Sequence, residues 1–247
     1  KLKLLIDQQI VVTGARMQVK INNKVVPHNT VINADAGSII GIQSSNCGCR
    51  CYVAFSNDME VTKFLGSVST YVPGKLGGIN GRVLKKGDTI SFNSIDTNLI
   101  KSSQVAVPQY CNSWLIKVTE GPEFKRLSSH TKDNIENIEY VISNDSNRMG
   151  IRLEGPTLEI NESGEMISGP VFTGTIQCPG NGLPILLGPD AQTLGGYPRI
   201  FQVAKVDRFL IGQMRPGDQL KFKRIKIEEA EKLWLDRVLS FPFLSKI

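Results

Sequence analysis

The sequence predicts a mainly β protein, built as two β-rich lobes with a short helix near the C-terminus. Three observations lead there. Short strand-like runs alternate with Gly, Pro, Asn and Asp turns along most of the chain. The 23 glycines and 12 prolines fall between those runs rather than inside them. Long helical periodicity is nearly absent before Ile227. Many short strands joined by turns imply a sandwich or barrel. A chain of 247 residues is long enough to bury a sizeable core.

The strand runs are VVTGA, then MQVKINNKVV as a hairpin with Asn22–Asn23 near its turn, then GSIIGI, CYVAF and DTISF. SWLIKVT, IEYVIS, TLEI, TGTIQ and RIFQVAKV follow. A composition break over residues 94–112 contains Pro108 and few alternations, so a soft boundary is placed near residue 115. It gives one lobe over 1–115 and another over 116–247. The helix is IEEAEKLWLDRVL, Ile227 to Leu239. It has acids in the first turn, Arg237 in the last, and a stripe of Ala230, Leu233, Trp234 and Val238 to pack on a barrel.

Composition bounds the function. At 40% hydrophobic and 21% charged, the chain is an ordinary folded protein. No apolar run reaches the 18–20 or so residues that cross a bilayer. KLKLLIDQQIVV meets Asp7 too soon to serve as a secretory h-region. It reads as the middle of a strand, so a preceding segment is expected. The formal net charge of +6 hints at anionic partners. Its densest stretch, KFKRIK (Lys221 to Lys226), reads as a solvated edge strand guarded by charge. No nucleic-acid motif accompanies it.

Five cysteines, an odd number, together with the missing secretory signal favour a reducing compartment. NCGCRC, read as a strand, sets Cys47, Cys49 and Cys51 on one face. A zinc site wants paired C-x2-C spacing or histidine partners, and His28 and His130 lie in polar turn-like settings. No metal is expected.

Candidate chemistry sits in three stretches. KLGGINGR (Lys75 to Arg82) fails the phosphate-loop and dinucleotide patterns by spacing and by the missing helix. It remains a turn, or a loop whose backbone N–H groups face outward. SNDSNRMGIRLEGP places Arg148, Arg152 and Glu154 on one face if it is a strand. Two guanidiniums there suit a carboxylate, carbamate or phosphate, or else form an Arg–Glu–Arg surface network. TGTIQCPGNGLPILLGPDAQTLGGYPRI crowds so many special backbone positions together that it reads as a pocket wall. No G-x-S-x-G occurs, and two histidines leave little choice of base for a triad.

These stretches, in the order LGSVST…GGINGRVLKKGD, GPE, SNRMGIRLEGP and GTIQCPGNGLPILLGPDAQTLGGYP, resemble the allophanate hydrolase subunit 2 family over roughly residues 8–230. That family includes the C-type subunit of 5-oxoprolinase, KipA-type antagonists of a kinase inhibitor, and the carboxyltransferase part of urea carboxylase. The resemblance implies a cytoplasmic, β-rich protein with cyclophilin-like barrel lobes. It implies two partners. One is a subunit 1 protein, like KipI or the B-type subunit of 5-oxoprolinase. The other is like the A-type subunit of 5-oxoprolinase. ATP would be used by the complex to cleave 5-oxoproline, with no tightly bound cofactor here. Biotin would enter only in the carboxyltransferase reading.

By position, the family's motif residues fall on Ser67, Thr70, Asn80 and Arg82, and on Arg148, Arg152, Gln177, Thr193 and Tyr197. The resemblance casts Arg148, Arg152 and Tyr197 as catalytic. It casts Ser67, Thr70, Asn80, Arg82, Gln177 and Thr193 as substrate-binding. Several positions depart from the pattern. An opening segment with Q-D-x-G-R has no counterpart, Asn147 replaces an aspartate, and Ala191 replaces an arginine.

Overall fold

The computed structural model describes residues 1–93, 109–161 and 166–241. Most of the predicted boundary stretch, residues 94–108, lies outside them. The chain divides into two compact units. One comprises Lys1–Asn46 and Cys51–Gln109, the other Cys47–Arg50 and Tyr110–Ile247.

In the first unit, the described strands are β1 (Leu2–Lys3), β2 (Gln8–Gly14), β3 (Val19–Ile21), β4 (Lys24–Val25), β5 (Ile32–Ala34), β6 (Ile39–Ile42) and β7 (Cys51–Phe55). They form two open sheets, β1-β6-β3-β4 and β5-β2-β7, rather than a closed barrel. The β3–β4 hairpin turns at Asn22 and Asn23, both in the left-handed region at φ 48° and 67°. Asparagine tolerates that region, so the dipeptide suits the turn. Strand alternation buries Ile10 and Val12 of β2 with Leu4, Val19, Ala34 and Ile40 in a small core. Beyond β7, residues 56–93 contain only isolated bridges. The expected strand DTISF is among them. It contributes a single bridge, Met59 to Phe92. Gly87 and Asp88 turn the chain just before it, and Asp88 is tied to Arg82.

In the second unit, the strands are β8 (Ser113–Glu120), β9 (Tyr140–Ile142), β10 (Gly150–Glu154), β11 (Gly169–Pro170), β12 (Thr175–Gln177), β13 (Ile185–Leu187), β14 (Leu194–Gly195), β15 (Arg199–Val203) and β16 (Gln219–Arg224). Seven of them close a barrel in the order β10-β13-β12-β15-β8-β16-β9, while β11 and β14 pair as a separate ribbon. Every barrel pairing is antiparallel except β16 with β8, which is parallel over six residues, Gln219 to Arg224. Inward residues alternate along each strand: Ile116 and Val118, Ile151 and Leu153, Leu220 and Phe222. Phe222 stacks on Tyr140 and Phe201 at centroid distances of 5.8 Å and 5.7 Å.

The barrel corrects three sequence readings. KFKRIK is not an edge: β16 bonds to β8 on one side and β9 on the other. Its lysines are outward residues of a closed wall, and closure removes the edge that charge would guard. TLEI stays irregular apart from the bridge of Ile160 to Leu127. In NCGCRC only Cys51 enters a strand. Residues Cys47–Arg50 are held by the buried Gln213, whose Oε1 accepts from Cys49 N and Arg50 N at 3.1 Å each. Side-chain hydrogen bonds have taken the backbone groups that a ladder would use.

The chain's long helix, α3 (Ile227–Ser240), falls where its periodicity predicts, after the short α1 (Ser129–Asn134) and α2 (Arg208–Ile211). Its stripe of Ala230, Leu233, Trp234 and Val238 is half-buried. Lys205 lies 4.3 Å over the Trp234 ring and Arg237 4.4 Å over Phe209. Each such contact contributes roughly 0.5–1 kcal/mol at exposed sites. Among the described residues, no helix is long and apolar enough to cross a membrane.

Candidate functional site

Strand pairing in the barrel lines up four outward residues. Arg152 of β10 lies opposite Ile185 of β13, Ile185 opposite Gln177 of β12, and Gln177 opposite Arg199 of β15. The register slips between Ile176 and Gln177. That bulge lets Ile200 and Phe201 both stay in the core while Arg199 faces Gln177. With strands about 4.8 Å apart, the Arg152 and Gln177 backbones are roughly 10 Å apart across the wall.

The β11–β14 ribbon covers one end of this row. Its close approach needs glycine. A Cβ on Gly195 would come 2.4 Å from Gln177 Nε2, and one on Gly169 3.0 Å from Arg199 Nη1. Gln177 is 1% exposed although it points away from the core. Its Nε2 donates to the Tyr197 carbonyl at 3.2 Å and its Oε1 accepts from Gln192 Nε2 at 3.4 Å. Tyr197 itself is half exposed, at 50%. The Thr193 carbonyl accepts from Val171 N, which ties the ribbon, and its side chain is exposed.

Three arginines of the expected anion sites differ sharply in what they touch. Arg148 donates from Nε and Nη2 to both Asp190 oxygens at 2.6 Å and 2.9 Å. The Asp190 N–H returns to the Arg148 carbonyl at 3.1 Å. Arg82 forks onto both oxygens of Asp88 at 2.7 Å and 2.8 Å. That guanidinium, then the Lys85 N–H, holds the Asp88 carboxyl well below the usual carboxylate range. Arg152 is exposed, and its guanidinium has no ion-pair partner among the described residues. Only its backbone is held, by Ser146 Oγ. Asn147 accepts from Met149 N at 2.8 Å, a turn bond that an aspartate would also make, so the substitution keeps the turn.

Sequence reasoning missed the ion pair beside this row. Arg199 donates to both Glu123 oxygens at 2.8 Å and 2.7 Å, and its Nη1 reaches the Pro170 carbonyl at 2.9 Å. The Arg199 fork, despite partial burial, lowers the Glu123 pKa. The GPE motif carried that signal: its Gly121 would place a Cβ 2.2 Å from the Arg199 carbonyl.

In the first unit, Thr70 packs against the Gly-rich loop. A Cβ on Gly78 would sit 1.9 Å from Thr70 Oγ1, and one on Gly81 2.0 Å from the Lys75 carbonyl carbon. Ser67 Oγ accepts from Ser69 N, and Asn80 is exposed at φ 54°. KLGGINGR is therefore a tightly folded loop tied to the S-x-x-T stretch. Each unit groups its own motif residues: Thr70 with the glycines in the first, Arg152, Gln177 and Tyr197 along one wall in the second.

The family model described as carboxyltransferase domain, subdomain A and B, matches residues 1–224. The chain belongs to that family. The resemblance read from the four motifs is thereby shown. The C-type subunit of 5-oxoprolinase from Escherichia coli is 30% identical over 97% of this chain and 76% of its own length. Urea amidolyase of Saccharomyces cerevisiae is 30% identical over 91% of this chain, which spans only 13% of that protein. The crystal structure of Kluyveromyces lactis urea amidolyase superposes with a TM-score of 0.84 at 26% identity, over 95% of this chain and 16% of that one.

Proposed function

We propose that the chain is the C-type subunit of an ATP-dependent 5-oxoprolinase complex, which opens the lactam of 5-oxoproline to glutamate. The observation that carries this reading is the extent of the match: 30% identity across nearly the whole chain and about three-quarters of a C-type 5-oxoprolinase subunit. B-type and A-type partner proteins complete the complex, in the cytoplasm. The Gly-rich loop has no nucleotide fingerprint, so ATP binds mainly on a partner protein.

In this reading Arg152 supplies the free positive charge. It pairs with the substrate carboxylate or with the oxyanion of an activated lactam, and it stabilises charge that develops as the amide breaks. Arg148 and Arg82, whose forks are filled by carboxylates, hold their loops in place. Gln177 fixes the ribbon, and the half-exposed Tyr197 closes over the bound amide or relays a proton to it. Thr193, beside the ribbon of the same unit, adds a polar contact.

A second reading, a biotin-dependent carboxyltransferase component, draws on the family model and on the urea amidolyase superposition. It requires a biotinylated carrier protein, since this chain has no A-M-K-M acceptor sequence. One assay separates the two. The purified chain is mixed with its A-type and B-type partners, ATP and 5-oxoproline. Glutamate release without any biotinylated protein supports the hydrolase. Release of none, with carboxyl transfer from carboxybiotin instead, overturns it. Tight partner binding without turnover of either kind would make the chain a KipA-like regulator.

A further inference from the structure

Residues 56–93 bury no apolar side chain: Asn57, Gly78 and Gly81 are the buried positions there. Phe64, Leu65, Val68, Val72, Val83 and Leu84 all remain between 43% and 93% exposed. The most exposed of them, Leu65 at 93%, also has a strained backbone, at φ 48°. Leu65 and Gly66 form a two-residue turn closed by Phe64 and Ser67, which exchange backbone hydrogen bonds of 2.8 Å and 2.9 Å. The β3–β4 hairpin uses asparagine for the same conformation. Leucine there is costly, and nothing among the described residues packs on it in return. An apolar side chain held out at a strained position is the mark of a contact made with another molecule.

The surroundings say what kind of molecule. Lys63, Lys75, Lys85 and Lys86 are exposed in the same segment. Over residues 56–93 the acids are Asp58, Glu60 and Asp88, and Asp88 is already taken by Arg82, which leaves four exposed lysines against two exposed acids. An exposed apolar tip in a segment with an excess of exposed lysines complements an apolar pocket with an acidic rim. The tip is also pre-shaped, since the loop beside it is packed by Gly78 on Thr70 and joined by the bridge of Thr62 to Gly78. A fixed shape serves a protein pocket, whereas a bilayer asks for none.

We propose that the Leu65 hairpin tip and the exposed lysines of its segment are the docking surface for a partner protein that presents an acidic-rimmed apolar pocket. This rests on the reading of the chain as one component of a larger complex. It does not depend on which reaction that complex performs.

The test is calorimetric binding of the purified B-type partner to the full chain, without substrate. Leu65→Gly removes the side chain and relaxes the turn. It should weaken binding at least tenfold while the chain's Tm stays the same or rises. Leu115→Ser, at an exposed barrel position, should leave affinity unchanged. The double substitution Lys85→Glu with Lys86→Glu should weaken binding at low salt and flatten the salt dependence of the affinity. Wild-type affinity in Leu65→Gly, or no binding by the unsubstituted chain, overturns the proposal. So does Leu65-dependent binding to phosphatidylglycerol vesicles in place of the protein. A complex that forms through Leu65 yet releases no glutamate sinks the 5-oxoprolinase reading and leaves the docking surface standing.

Discussion

The barrel fills its interior with Tyr140, Phe201 and Phe222, whereas residues 56–93 of the first unit bury no apolar side chain. Both regions nonetheless fix an arginine on a carboxylate, Arg148 on Asp190 and Arg82 on Asp88. Both also pack glycines where a Cβ would collide, Gly195 on Gln177 and Gly78 on Thr70. The barrel's local fastenings sit on a hydrophobic core. Those of the loop stand in for one. Damage to a fastening should therefore lower global stability in the barrel and leave it nearly intact in the loop.

The largest test of that contrast sets Phe222→Ala beside Gly81→Ala. Phe222 is fully buried between two rings, so its truncation should cost about 3–5 kcal/mol in chemical denaturation. Gly81→Ala forces a collision with the Lys75 backbone. It should disorder the loop, seen as faster amide exchange in 70–82, while the barrel's unfolding midpoint hardly moves. Equal global losses would break the contrast.

Arg199→Ala comes next. It strands Glu123 beside the ribbon and should cost about 2–3 kcal/mol at neutral pH. The Glu123 pKa is lowered in the fold, so the pair's stabilisation is fully present above the ordinary carboxylate value. It is lost as pH falls through the lowered value. The gap between wild type and Arg199→Ala should thus be widest at neutral pH, begin to shrink only below the ordinary carboxylate value of about 4.3, and close as pH falls through the lowered value. A gap independent of pH would show that the cost is packing alone.

The smallest expected effect is that of Asp190→Asn. Arg148 is more than half exposed, so losing this pair should cost at most about 1 kcal/mol. It should shift the chemical environment of residues 147–149 and 188–190 without changing the barrel. Loss of several kcal/mol would mean that Arg148 carries more of the structure than its exposure allows.

Much of this was legible in the sequence because period and turn chemistry are local. The Asn22–Asn23 hairpin, the β8 and β15 alternation and the α3 stripe follow from spacing alone. KFKRIK was misread because barrel closure is a long-range fact: nothing in six residues says that β8 and β9 flank them. The site was legible as residue types but not as states. SNRMGIRLEGP offered two equivalent arginines, and only the fold set Asp190 against Arg148 and left Arg152 open. Glu123 and Arg199 lie far apart in sequence, and no local pattern joins them. Gln177 was expected to meet a substrate amide, and the fold instead spends both ends of its side chain on Tyr197 and Gln192.

The exposed guanidinium of Arg152, without an ion-pair partner among the described residues, is the centre of the account. The direct measurement is glutamate release from 5-oxoproline and ATP by the reconstituted complex, with wild-type chain and with Arg152→Ala side by side. The account predicts release by the wild type and a fall in kcat/KM of at least about 100-fold in the variant. Tm and assembly of the complex should be unchanged in that variant, and Arg148→Ala should lose less. Full activity in Arg152→Ala, or a greater loss in Arg148→Ala, would contradict it.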